Sequence, residues 1–226
     1  MTATSSAPNV VPQWRLGADD NAHLVASGGR ILVTVAAAGD GQPIRVHGDR
    51  VRFAFDVPDR GTLPPLDERF IRGDTLHLMY PQSDQRFAVR LSLEVLSGDQ
   101  FIADNPAVIN AGDPLATAGP MIEARISVQT DLLDTHPMID LRVAASESTH
   151  SGDEACGLED WCVLNEADRR GSRLVDKQCV QLFGDFLEKG VIRRAQPWLM
   201  VGSPITDSHR SAIEALQSRR PVFAGD

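Results

Sequence analysis

Asp131, Asp134 and His136 fall within one short connection, TDLLDTHP, and carboxylates with an imidazole in one loop can ligate a divalent cation or relay protons. An ion held there would acidify a bound water, the starting point of a metal-assisted hydrolase or lyase. His77, in the run TLHLMY, is a fourth candidate ligand, because it faces away from Leu76, Leu78 and Tyr80 on an alternating segment. The spacing matches no metal signature. The same residues also suit a plain turn: Asp accepts from nearby backbone amides, and the residue before Pro137 is held extended.

A second group of ligand types, His150, Asp153, Glu154, Cys156 and Cys162, lacks zinc-finger spacing and carries acids between its members, as a solvated loop does. Cys179 lies in an apolar run and reads as a small core residue. Trp14, Tyr80, Trp161 and Trp198 could form a sugar-stacking platform or fill the core of a sandwich. The chain has no nucleophile elbow, phosphate-binding glycine loop, dinucleotide fingerprint or HExxH pair. No catalytic residue is assigned, and no cofactor is expected beyond a possible divalent metal.

The elements that would position these residues are strands. Phe87, Val89, Leu91, Leu93 and Val95 alternate with Ala88, Arg90, Ser92 and Glu94, and Thr75–Tyr80 alternates in the same way across a PQSDQ turn, so the two runs predict a hairpin. Ile31–Ala38, Ile44–Val57 around a Gly48-Asp49 turn, Met121–Gln129 and Ile139–Val143 continue the pattern, the last two as a further hairpin. Residues 97–120, broken by glycines and prolines, are a candidate binding loop. Near residue 183 the period changes. Asp185 with Glu188 resembles a capping box, and Phe183, Leu187 and Val191 share a helical face, which favours a helix over an extended segment at 183–195 despite Gly190. Trp198–Val201 reads as a short buried strand, and Thr206 or Asp207 opens a last helix bearing Ile213 and Leu216.

The expected fold is therefore mainly β, an antiparallel β-sandwich with a small α/β C-terminal region. Its organisation is a flexible lead-in at 1–27, a sandwich core at 28–145, an acidic linker at 146–160, and an α/β region at 161–226 that packs on the sandwich.

Composition narrows the function. With 226 residues, 42% of them hydrophobic, the chain can bury a substantial core. A net charge of −9 repels phosphate backbones, which argues against nucleic acid and anionic membranes as partners. No apolar run approaches a membrane span, no secretory signal pattern opens the chain, and three cysteines without a CxxC fit a reducing cytoplasm.

FGDFLEKGVIRRAQPW (183–198) and QTDLLDTHP (129–137) resemble segments of an uncharacterised bacterial protein family of unknown function. The resemblance covers a small part of the chain and implies no catalytic residue. The preferred expectation is a non-catalytic cytoplasmic module that binds a protein partner or forms a homo-oligomer. A carbohydrate-binding sandwich and a metal-assisted hydrolase or lyase are the alternatives.

Overall fold

A computed structural model describes residues 12–18, 20–58, 62–82, 87–96, 120–133, 135–146 and 156–219. Two antiparallel sheets make up most of it. Numbered in chain order, the eight-stranded sheet runs β1 (Gln13–Leu16), β2 (Asn21–Val25), β3 (Ile31–Ala36), β4 (Ile44–His47), β5 (Val51–Asp56), β10 (Met138–Ala145), β13 (Cys179–Phe183) and β12 (Ser172–Asp176). The seven-stranded sheet runs β11 (Cys162–Val163), β15 (Trp198–Met200), β9 (Met121–Gln129), β8 (Ala88–Leu96), β7 (Thr75–Tyr80) and β6 (Glu68–Arg72), with β14 (Ile192–Ala195) also paired to β9. Helices α1 (Glu166–Arg170) and α2 (Asp207–Arg219) lie in the C-terminal third.

Alternation dictates this architecture. In β8, Val89, Leu91, Leu93 and Val95 are buried while Ala88, Arg90, Ser92, Glu94 and Leu96 are not, and β5 buries Val51, Phe53 and Phe55 in the same rhythm. One apolar face on each sheet leaves face-to-face packing as the way to hide both. Ile44, Phe55 and Ile139 of one sheet meet Val89, Leu91 and Ile126 of the other around a void of about 10 Å³, so the middle of the sandwich is filled and apolar. Polar links tie the layers at their margins. The buried Tyr80 hydroxyl of β7 donates to the Ala37 carbonyl just after β3 at 2.6 Å. Arg69 of β6 donates to the Asn21 carbonyl at 2.5 Å and to the Gly17 carbonyl at 3.3 Å. At Gly48, in the β4–β5 turn, a Cβ would overlap the Val201 carbonyl, so only glycine permits that approach.

The β7–β8 and β4–β5 hairpins, the strand near Trp198 and the last helix match their sequence patterns. Other elements differ. β9 and β10 are not a hairpin: β9 pairs with β8, β14 and β15, whereas β10 lies between β5 and β13 in the opposite sheet. TDLLDTHP is thus a crossover between layers. Residues 183–195 form no helix. Phe183, Gly184 and Gly190 have φ of 68°, 101° and 79°, and these left-handed positions break the helical path before β14 begins. Gln13–Leu16 and Asn21–Val25, expected within a flexible lead-in, are strands β1 and β2, and the region after 160 contributes strands to both sheets. Residues 165–173, NEADRRGSR, hold α1, whose N-cap Asn165 accepts from the Asp168 amide at 2.7 Å. Residues 97–119 of the candidate binding loop and 147–155 of the acidic segment lie outside the described residues, as do Asp134, His150, Asp153 and Glu154.

Candidate interaction surface

The buried Thr130 follows the end of β9, and the chain turns sharply because the Leu132 amide donates to the Thr130 hydroxyl at 3.1 Å. The Asp131 amide donates to the Gln82 side chain at 2.9 Å, which fixes the same turn from the β7 side. A second loop, between β13 and β14, lies against the first. The Gly190 amide donates to the Thr130 carbonyl and the Leu187 amide to the Thr135 carbonyl, both at 2.8 Å. Leu187 is fully buried and Thr135 nearly so, so these two residues anchor the loops to the sandwich. Arg193 braces the second loop, donating to the Phe186 carbonyl at 2.7 Å and to the Asp185 carboxylate at 3.3 Å.

Around these anchors the apolar side chains point outward. Leu132, Leu133, Phe186, Val191 and Ile192 are exposed, Leu133 to 79%, and they make up half of the large exposed hydrophobics among the described residues. Scattered exposed leucines need no explanation; these five are grouped, four on two hydrogen-bonded loops and Ile192 at the start of β14. Phe186 also meets the His136 ring, with centroids 5.9 Å apart and planes tilted by 60°. Acidic Asp131, Asp185 and Glu188 and basic Lys189 and Arg193 stand among the apolar groups.

The sequence-derived ligand set divides. Asp131 and His136 lie on the first loop, both exposed, and Asp134 is outside the described residues. His77 stands apart. It pairs with Ser92, which in turn pairs with Arg125, and Asp131 lies beyond the far end of β9, with Gln129 already roughly 13 Å from Arg125 at strand rise. There the His77 ring stacks on Phe70 at 4.7 Å, and its Nδ1 lies 2.9 Å from the Ser92 hydroxyl. Burial, with Arg125 and Arg72 nearby, lowers its pKa. Among the described residues no group of three or more His, Cys, Asp or Glu side chains could hold a metal ion.

The remaining described candidates are buried, Cys156 in part. Cys156, Cys162 and Cys179 are unpaired, and burial raises all three thiols, Cys179 to about 11, which disfavours a reactive thiolate. Trp14, Tyr80, Trp161 and Trp198 are all buried, so these four offer no stacking platform. Of the exposed apolar residues on the two loops, Val191 alone stands out in the sequence pattern, where it fits a helical face with Phe183 and Leu187. No helix among the described residues is long and apolar enough to cross a membrane. No family model matches the chain, and no curated protein or solved structure matches it.

Proposed function

We propose that the chain is a non-catalytic module that pairs with a second copy of itself through the loops that present Leu132, Leu133, Phe186 and Val191, with Ile192 at the start of β14. The observation that carries this reading is Leu133, 79% exposed on a loop fixed by hydrogen bonds to its neighbour, so that it is presented on a formed surface. A self-pairing face must be its own complement. In a chain of net charge −9 these loops bear both signs, Asp131, Asp185 and Glu188 beside Lys189 and Arg193, which lets two copies meet without like charges dominating. A cytoplasmic setting fits three unpaired cysteines.

Sedimentation equilibrium over a wide concentration range tests the reading. The wild type is expected to show a reversible monomer–dimer equilibrium, and Leu133→Glu is expected to shift it to monomer while matching the wild type's thermal midpoint at dilutions where both are monomeric. A wild type that stays monomeric throughout, or a dimer that Leu133→Glu leaves intact, would overturn it.

A further inference from the structure

The outer face of the seven-stranded sheet carries a second arrangement, independent of the two loops. Arg90 on β8 and Arg194 on β14 each stand directly opposite Ser127 on β9, one from either side. Side chains opposite one another in a sheet share a face, so the two guanidiniums flank one hydroxyl, with their Cα atoms roughly 10 Å apart across two strand spacings. The neighbouring row inverts the order, with Ser92 opposite Arg125. Arg125 is engaged, paired with Glu94 and 3.6 Å from the buried Glu123. Arg90 and Arg194 are exposed, and among the described residues neither has an ion-pair partner. Two uncommitted cations facing one hydroxyl, on an otherwise acidic chain, form a local exception to its long-range field.

We propose that Arg90, Ser127 and Arg194 form a binding site for a tetrahedral oxyanion, a phosphate or sulfate monoester of a small molecule. Each guanidinium offers a planar fork of N–H donors to the oxygens, and the serine hydroxyl supplies a third donor between them. Strands fix the backbone positions of all three, so the side chains alone are ordered on binding. Met79, opposite Arg90 on β7 and half-buried, continues the row and gives the organic part of the ester an apolar seat.

Titration of the full chain with phenyl phosphate and phenyl sulfate, at ionic strength held constant with sodium chloride, tests this by NMR of the Ser127 amide and the arginine side-chain N–H groups. Saturable shifts are expected at these positions. Arg90→Gln and Arg194→Gln are each expected to weaken binding about tenfold, the loss of one charge-assisted hydrogen bond, and Ser127→Ala by less. Arg173→Gln, on the remote strand β12, is expected to change nothing, and thermal melts verify that each variant is folded. Preference for one ester identifies which oxyanion the site takes. Shifts no larger than chloride alone produces, meaning an adventitious ion only, or equal affinity in the arginine variants, would overturn the proposal.

Discussion

The Leu187 amide donates to the Thr135 carbonyl at 2.8 Å, and the Thr135 hydroxyl lies 3.4 Å from the Leu187 carbonyl. The two residues form an isolated antiparallel bridge between segments 52 positions apart, and both side chains are buried. Through this bridge the crossover between the sheets is fastened to the β13–β14 connection, and the exposed side chains on either side are carried on one base.

Leu187→Ala is therefore expected to destabilise the protein by about 2–4 kcal/mol, the usual cost of emptying a fully buried leucine site. Urea unfolding measures it. A change below about 1 kcal/mol would mean that the second loop is not anchored through this side chain.

Tyr80→Phe removes the bond to the Ala37 carbonyl and leaves that acceptor in a buried setting, for an expected loss of about 1–3 kcal/mol. The same phenol has its pKa raised by burial, so spectrophotometric titration is expected to find Tyr80, the chain's only tyrosine, protonated until the fold opens. Ionisation near pH 10 with the fold intact would contradict this placement.

Asp168 gives stability a pH dependence opposite to that of a salt-bridged carboxylate. Burial raises its pKa from 3.8 to about 6, against the pull of amide hydrogen bonds from Gln196 and Asn165. The folded state thus binds a proton that the unfolded chain releases between about pH 4 and 6, and stability falls as pH rises through that window, by at most about 3 kcal/mol. Thermal melts of the wild type and Asp168→Asn at pH 4.5, 5.5 and 7 check this. The wild type is expected to lose stability relative to the variant as pH rises, and a constant difference would refute it.

How far the sequence reveals this molecule depends on which interactions are local. The β7–β8 hairpin is legible because Thr75–Tyr80 and Phe87–Val95 alternate strictly around a short turn. Met121–Gln129 and Met138–Ala145 alternate almost as well, yet period two says which residues share a face and nothing about which strand lies alongside, so their assignment to different sheets is invisible. Residues 183–195 mislead because Phe183, Leu187 and Val191 fit a helical period, while the left-handed backbone at Gly184 and Gly190 decides the path. The candidate surface was half legible. TDLLDTHP and FGDFLEKGVIRRAQPW stand out separately, and only the Thr135–Leu187 bridge brings them together. Arg90, Ser127 and Arg194 were not legible at all, since their meeting depends on the register of three strands, although Arg-x-Ser recurs in β8 and β9.

Self-association through the two loops is tested most directly by amide hydrogen exchange at low and high protein concentration. Protection at Leu132, Leu133, Val191 and Ile192 is expected to rise with concentration, while Leu174 and Val175, equally apolar and exposed on the sheet edge β12, keep the same rates. Concentration-dependent protection at β12 in place of the loops, or rates independent of concentration everywhere, would contradict it.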